Sequence, residues 1–130
     1  MSIQEIKANR FGGCIVRGIY FINEQIELNG LTKAESFKLQ EQSLLNFIGS
    51  KDIEPIKLNP YQLNPHYTIL HALLYDLKAA DIQLDCFCFY SNATLDDFIT
   101  TYPARWLMIQ SYFDRILPVS SHEQPWRQVI

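Results

Sequence analysis

Two cysteines, Cys86 and Cys88, lie two residues apart in an apolar run. In a β-strand this spacing places both thiols on one face, where a bound metal would need further ligands. The three histidines that could supply them, His66, His71 and His122, follow no zinc-ligand spacing. We interpret the two thiols as small buried core groups and expect neither a metal site nor a cofactor.

The other acid, base and nucleophile candidates are not arranged for catalysis. Asp96 and Asp97 are consecutive, so in a helix they point in different directions, and a first helical turn favours acidic residues. His71 adjoins an apolar helical stripe and is interpreted as a half-buried packing residue. No Gly-rich phosphate-binding loop occurs in the sequence. Three serines lie on predicted helices without a neighbouring base: Ser36, Ser43 and Ser111.

The elements that must position these residues alternate between apolar runs and helical patterns. Strands are predicted at 14–22, 53–58 and 82–90, and amphipathic helices at 31–48 and 66–80. This alternation is typical of βαβ units around a parallel sheet. The sequence therefore predicts one α/β domain with a mostly parallel sheet of about four strands, in which the first and third runs are central.

Local signals mark several positions in the first half of the chain. Thr32 and Glu35 form a capping box that begins the first helix, and Gly49 is predicted to end it in a left-handed conformation. Gly18, inside the first strand, predicts close approach of a neighbouring element. The buried stripe of the helix is predicted to contain Phe37, Leu44, Ile48 and, at its edge, Leu45.

The last third of the chain is predicted to be mostly helical. A short helix is expected at 94–101, and a second at 103–116, opened by a proline and buried through Trp106 and Phe113. A last short strand is predicted at 117–119.

The predicted domain spans residues 14–119, with a distinct segment at each end. Residues 1–13 are interpreted as an arm, a short helix or an extra strand, and residues 120–130 as a polar tail. The amino terminus has no apolar signal core, and no run is long enough to span a bilayer. Because three cysteines fit a reducing compartment better than a disulfide framework, a cytoplasmic location is expected.

Charge argues against a dedicated nucleic-acid surface. Eleven Lys and Arg against fourteen Asp and Glu give a net charge of -3, whereas phosphate binding relies on a basic footprint. A nucleic-acid partner is therefore unexpected, and the lack of a run long enough to span a bilayer makes a membrane partner unexpected as well.

Two surfaces are candidates for function. The loops after the carboxyl ends of parallel strands usually carry it, and here they contain a candidate crevice: Asn23, Glu24, Asn92 and Asp97. The carboxy-terminal third concentrates aromatic and arginine residues, the types that most often anchor protein interfaces. These residues predict contact with a protein partner or self-association: Tyr102, Arg105, Tyr112, Arg115 and Trp126.

The order of these pieces resembles the catalytic domain of serine recombinases, the resolvase and invertase family. The resemblance covers residues 16–119 and lies in apolar and turn positions. It is carried by Ile19-Tyr20, the helical run 39–47, Asn64-Pro65, Leu73-Leu74, Asp76, Lys78-Ala79, Cys88-Phe89-Tyr90 and Leu95. It implies a resolvase-like sheet.

The family's reacting groups are replaced in this chain. Where the family has Tyr-x-Arg-x-Ser, this sequence has Tyr20, Ile22 and Glu24, and Asn64 stands in place of the arginine of an Arg-Pro pair. The family's Asp-Arg-Leu-x-Arg run reads Ala-Thr-Leu-Asp-Asp here, at 93–97. Arginines stabilise the charge that develops on phosphorus, so the resemblance implies a domain without recombinase activity.

These observations lead to a non-catalytic recombinase-like domain that acts as a regulatory or protein-interaction module. The alternative is a small enzyme of unrelated chemistry in the crevice, and a third possibility is another flavodoxin-like domain. An enzyme is expected to show a concave pocket with a perturbed titratable group. An interaction module is expected to show a flat patch bearing aromatic residues.

Overall fold

The computed structural model describes residues 15–120. Four strands form the sheet: β1 (Val16–Tyr20), β2 (Ile53–Pro55), β3 (Leu84–Phe89) and β4 (Phe113–Pro118). Four α-helices connect or follow them: α1 (Lys33–Ser50), α2 (Leu70–Ala80), α3 (Asp96–Thr101) and α4 (Pro103–Gln110). Short 3-10 turns occur at Leu28–Gly30 and Asn92–Thr94. The predicted arm at 1–13, Cys14, and residues 121–130 with His122 and Trp126 lie outside the described residues.

The described strands are all parallel, in the order β2-β1-β3-β4. The chain first moves outward from β1 to β2 and then returns past β1 to build β3 and β4. The direction of winding therefore reverses between β1 and β3, as in other doubly wound sheets of this order. The prediction of one α/β domain with a four-stranded parallel sheet and central β1 and β3 is confirmed.

Helices cover both faces of the sheet because the strand residues alternate. Ile19 and Phe87 face the layer of α2 and α4, whereas Tyr20, Cys86 and Cys88 face α1. Each face has its own hydrophobic cluster, so the two central strands are buried on both sides. Among residues 15–120, no helix combines the length and apolar character that crossing a bilayer needs.

The predicted helix at 103–116 is wrong in its second half. The helix ends at Gln110, and Phe113 begins β4 opposite Leu84. The hydroxyl of Ser111 donates to the carbonyl of Met108 at 2.6 Å, which competes with continuation of the helix. Trp106 and Phe113 are both buried as predicted, but on different elements that meet at one core cluster.

Other boundaries also shift. The second predicted strand ends at Pro55, and α2 begins at Leu70, because Tyr67 before it is extended and pairs with Phe21. Gly49 is helical, and the left-handed residue near the end of α1 is Asp52, with φ 55°. The capping box of Thr32 and Glu35 is confirmed, but Leu45 is exposed and does not join the buried stripe.

Candidate binding crevice

A concave cavity of about 390 Å³ lies beside the carboxyl ends of β1 and β3, where the direction of winding reverses. We call it the switch-point crevice. Its lining comes from the loop after β1, the segment leading into α2, the turn after β3, and α3 with the residue that follows it. The lining residues are Phe21, Asn23, Gln25, Thr68, Leu70, Thr94, Asp97, Phe98, Thr101 and Tyr102.

The side chain of Gln40 fixes the loop after β1 through hydrogen bonds to its backbone. Its side chain is fully buried in α1. The Gln40 Oε1 atom accepts from the Asn23 amide at 2.9 Å, and its Nε2 donates to the Asn23 carbonyl at 2.9 Å. The same Nε2 also lies within hydrogen-bond distance of the Ser36 carbonyl and hydroxyl, at 3.3 and 3.4 Å. The backbone of Asn23 is thereby fixed by a helix side chain.

The side chain of Asn23 joins the two loops that border the crevice. Its Nδ2 donates to the Thr94 carbonyl at 3.0 Å, and its Oδ1 accepts from the Gln25 amide at 2.9 Å. With its backbone held by Gln40, Asn23 has hydrogen-bond partners at all four polar positions. Asn23 therefore shapes the crevice and is not a free reacting group.

A second cavity of about 440 Å³ adjoins the first and shares Asn23, Gln25 and Asp97 with it. Its charged lining residues are Glu27, Lys33 and Asp97. The Lys33 ammonium donates to Gln25 Oε1 at 3.4 Å. The described lining of the two cavities thus has one more carboxylate than ammonium groups.

Aromatic rings form the wall of the crevice near α3 and α4. The Phe98 and Tyr102 ring centroids are 5.5 Å apart, and the His71 ring stands edge-on to each, at 5.1 and 4.5 Å. The Arg105 guanidinium lies over the Tyr102 ring, 5.9 Å from its centroid. Tyr102 is 41% exposed, so this wall reaches the molecular surface.

Hydrogen bonds from Tyr67 support the segment that leads into α2. The Tyr67 backbone bonds to Tyr20 and Ile22, each at 2.9 Å. Its hydroxyl donates to Asp76 Oδ2 at 2.7 Å and lies 3.1 Å from Gln62 Oε1. Burial raises the pKa of the Tyr67 hydroxyl, and the carboxylate of Asp76 raises this pKa further. This network fixes Thr68, which lines the crevice next along the chain.

A separate aromatic group lies on the α1 side of the β1 carboxyl end. The His66 ring contacts Tyr20 and Phe37, with centroids 5.7 and 5.8 Å away. Burial lowers the pKa of His66, while the carboxylates of Glu41 and Glu24 oppose that shift. Burial also raises the pKa of Tyr20, helped by the charge of Glu41.

The structure unites only part of the predicted crevice. Asn23 and Asp97 line the same two cavities. Glu24 is exposed and Asn92 is half-buried in its 3-10 turn, and neither lines the switch-point crevice. His71 is exposed, not half-buried as predicted, although its ring does pack against aromatic neighbours.

The predicted interface residues do not form one surface. Tyr102 and Arg105 are exposed together at the mouth of the crevice. Tyr112 is half-buried against the larger hydrophobic cluster, which does not fit the prediction of an exposed anchor. Arg115 is exposed on β4 and lines a different cavity, on the α1 face. Trp126 lies outside the described residues. The predicted crevice and the predicted interface therefore meet at Tyr102.

The two cysteines lie where the spacing predicted. Both are buried on the α1 face of β3, with their sulfurs 4.0 Å apart. Across residues 15–120, no three histidine, cysteine, aspartate or glutamate side chains are grouped so that they could hold a metal ion.

Several residues that shape the site are not recognisable as functional from the sequence. Ser36, Gln40 and Leu44 follow one another at intervals of four residues, so the two polar residues occupy the buried stripe of α1. The sequence did offer one signal for them. Two polar residues on an apolar stripe indicate specific hydrogen bonds, because a buried polar side chain needs a partner. Thr68 and Thr94 carry no comparable signal, since their place in the crevice depends on the chain returning past β1.

The fold and the crevice together define a doubly wound α/β domain. Its cavity lies where the direction of winding reverses, between β1 and β3. No family model matches the chain, and no curated protein or solved structure matches it significantly.

Proposed function

We propose that this chain is a non-catalytic, recombinase-like domain that acts as a protein-interaction module with a regulatory role. Its binding site is the switch-point crevice together with the exposed aromatic wall at Tyr102. A cytoplasmic location belongs to the same proposal and rests on the cysteine usage of the sequence.

One observation carries the proposal: the crevice opens beside an exposed aromatic residue while its central polar residue is fully bonded within the fold. Asn23 has its hydrogen bonds with Gln40, Thr94 and Gln25. Tyr102 lines the cavity and is 41% exposed. A preformed cavity with an aromatic at its rim suits the insertion of a partner side chain, since partly exposed tyrosines are frequent interface anchors.

The lining offers little for covalent chemistry. Nucleophilic catalysis needs a hydroxyl or thiol within hydrogen-bond reach of a base. The hydroxyl of Thr94 donates to the Ser91 carbonyl at 2.6 Å, and the His71 ring packs against Tyr102 and Phe98, which line the crevice. The residue at the family's arginine position, Ile22, is completely buried. These features support binding over catalysis.

A small enzyme of unrelated chemistry is the second candidate, and the concavity of the crevice favours it. Enzyme sites are usually preformed cavities of this size, whereas interaction surfaces are usually flatter. In that case Asp97 would be the residue placed to act on a substrate, because it lines both cavities.

The test compares two exposed tyrosines. Tyr102→Ala removes the ring at the crevice, and Tyr75→Ala removes a ring on α2 that is 74% exposed and does not line the crevice. We expect Tyr102→Ala to reduce partner capture and self-association at least about tenfold, the usual effect of losing an interface anchor. Tyr75→Ala should change neither.

Thermal unfolding of both variants should first show that the fold is retained. Equal binding by wild type and a folded Tyr102→Ala variant would contradict the proposal. An equal loss of binding in both variants would also contradict the proposal, because binding would then not depend on the crevice in particular.

A further inference from the structure

We infer that a cavity on the α1 face of the sheet binds a small amphiphilic anion, a carboxylate carried on a short apolar body. The cavity has a volume of about 370 Å³ and lies between the end of α1 and the four strands. We call it the α1-face cavity. It shares no lining residue with the switch-point crevice, so the inference goes beyond the proposed function and does not rest on it.

The α1-face cavity forms because this side of the sheet is only partly covered. Among the described helices, α1 is the only one whose residues join the hydrophobic cluster on this face, through Leu44 and Ile48. The cluster on the other face receives residues from α2 and α4. The edge strand β4 is therefore incompletely covered on the α1 face, and Leu117 there is only half-buried.

Strand alternation separates the charges of the sheet by face. Arg115 of β4 is exposed and lines the cavity. Asp114 precedes it and Asp85 precedes the cavity residue Cys86, so both acidic side chains belong to the opposite face. Their carboxylates accept hydrogen bonds there, Asp85 from the Arg17 amide at 2.7 Å and Asp114 from a glutamine side chain at 3.2 Å.

Lys51 supplies a second cation at the end of α1. Its Nζ lies 6.0 Å from the centroid of the Phe47 ring, and both residues line the cavity. This contact leaves the charge of the ammonium in place. The carbonyl end of α1 contributes only about half a negative charge, which the two cations outweigh. Asp52 and Glu54 follow along the chain, but neither lines the cavity.

Both cations are available to a ligand. Within residues 15–120, neither the Lys51 ammonium nor the Arg115 guanidinium has a hydrogen bond or an ion pair. The charged residues that the structure places in the lining are these two, and both are positive. A carboxylate would gain charge-assisted hydrogen bonds from them, above all from the fork of the guanidinium, whereas a cation would meet two like charges.

The rest of the lining suits an apolar body. It consists of the buried thiol of Cys86 and the apolar side chains of Val16, Phe47, Ile53, Leu117 and Pro118. Sites for small molecules usually have volumes of about 300–1,000 Å³, with few polar groups in a mostly apolar lining. This cavity lies at the small end of that range, so a short alkyl chain fits it better than a large ring system.

The direct experiment titrates the whole chain with four small probes while amide NMR spectra are recorded. Octanoate carries the proposed charge and body, octanamide keeps the body without the charge, octylamine reverses the charge, and acetate keeps only the charge. We expect octanoate to shift the amides of Val16, Ile53, Cys86 and Leu117 and to bind at least about threefold more tightly than octanamide. Octylamine should bind more weakly than octanamide, and acetate should give no saturable shifts.

Two exposed arginines on opposite faces of the sheet provide matched variants. Arg115→Gln removes a charge from the cavity, and Arg17→Gln removes one from β1 that does not line it. Arg115→Gln should weaken octanoate binding about threefold to tenfold and leave octanamide binding within about twofold of wild type. Arg17→Gln should change neither by more than about twofold. Thermal unfolding shows that both variants are folded.

The outcomes decide the inference without reference to the switch-point crevice. Equal binding of octanoate and octanamide, insensitive to Arg115→Gln, overturns it, and so do equal effects of the two arginine variants. Acetate binding as tight as that of octanoate overturns the assignment of an apolar body. Absence of shifts at the cavity residues with every probe overturns the site itself. A folded Tyr102→Ala variant, which tests the proposed function, should bind octanoate as wild type does.

Discussion

At the scale of single residues, the shape of the crevice depends on a glutamine that does not line it. Gln40 satisfies both backbone polar groups of Asn23, and Asn23 in turn reaches the loop after β3. An apolar residue at position 40 would leave two half-buried backbone groups without their partners. Each unsatisfied buried group costs about 1–3 kcal/mol.

We therefore predict that Gln40→Leu lowers the free energy of unfolding by at least about 2 kcal/mol, the minimum for two unsatisfied groups, and loosens the loop after β1. The control is Gln42→Leu, at an exposed position on the same helix. Urea denaturation measures the first effect, and amide hydrogen exchange at Asn23 and Gln25 measures the second. A stable Gln40→Leu variant with slow exchange at Asn23 would show that the glutamine is not what positions this loop.

A second residue-scale prediction concerns His66 and pH. Burial lowers the pKa of His66 below its ordinary value of 6.5, despite the opposing charges of Glu41 and Glu24. The folded state therefore binds this proton less readily than the unfolded state does. Stability from the neutral ring is present above the unfolded pKa and declines as pH falls through about 6.5 and below.

We expect the free energy of unfolding of His66→Gln to depend less on pH than that of wild type. The free energy of unfolding of wild type should fall between about pH 7.5 and pH 5.5 more steeply than that of the variant. Urea denaturation at several pH values gives both curves. Parallel curves would mean that the proton affinity of His66 is the same in the folded and unfolded states.

At the scale of elements, the neighbouring strands approach closely at Gly18 of β1. A Cβ atom placed there would lie 2.8 Å from Cys86 Sγ and 2.9 Å from Ile53 Cγ2. Both neighbours are buried in the α1-side cluster, so neither can move freely. The residue pattern of β1 predicted this close approach, and the structure confirms it.

We predict that Gly18→Ala lowers the free energy of unfolding by about 1–3 kcal/mol, the usual cost of overpacking a core. Gly49→Ala is the matched control, because its Cβ would meet nothing within 4 Å and the residue is helical. That variant should gain up to about 1 kcal/mol from helix propensity. Denaturation curves measured side by side should move in opposite directions, and a shift in the same direction would contradict the packing argument.

Element boundaries were predictable where local chemistry decides them. The capping box at Thr32 begins α1 as predicted, because its hydrogen bonds are made within four residues. The end of the helix predicted at 103–116 was not predictable. Trp106 and Phe113 have the spacing of one helical face whether the helix continues to Phe113 or stops at Gln110. The segment that begins at Phe113 forms a strand because Phe113 pairs with Leu84, which is far away in the sequence. Long-range pairing of this kind overrides local periodicity.

At the scale of the whole molecule, the parallel sheet followed from alternating apolar runs, but the crevice did not. Its lining joins Asn23, Thr68, Thr94 and Tyr102, which are brought together only by the crossover past β1. The sequence could place a crevice after the strands and could identify Asn23 and Asp97 as part of its lining. It could not show that Glu24 does not line the cavity or that Tyr112 packs against the larger hydrophobic cluster.

The whole-molecule charge and the replaced residues lead to a prediction about DNA. Phosphoryl transfer needs a nucleophile and positive groups around the phosphorus. In the recombinase-like alignment proposed above, the arginine position is the buried Ile22 and the serine position is the exposed Glu24. Asp97 adds another carboxylate near the crevice, and the net charge of the chain is -3.

We therefore expect no DNA cleavage, joining or inversion by this protein. Purified protein incubated with supercoiled plasmid should give no relaxation and no nicking on agarose gels. Mass spectrometry should find no covalent protein–DNA adduct, while an active recombinase with its own recombination site serves as the positive control. An adduct through any hydroxyl of this chain would contradict the assignment of the replaced positions. It would also contradict the proposal of a non-catalytic domain, because the electrostatic argument would then have missed the groups that stabilise the reacting phosphate.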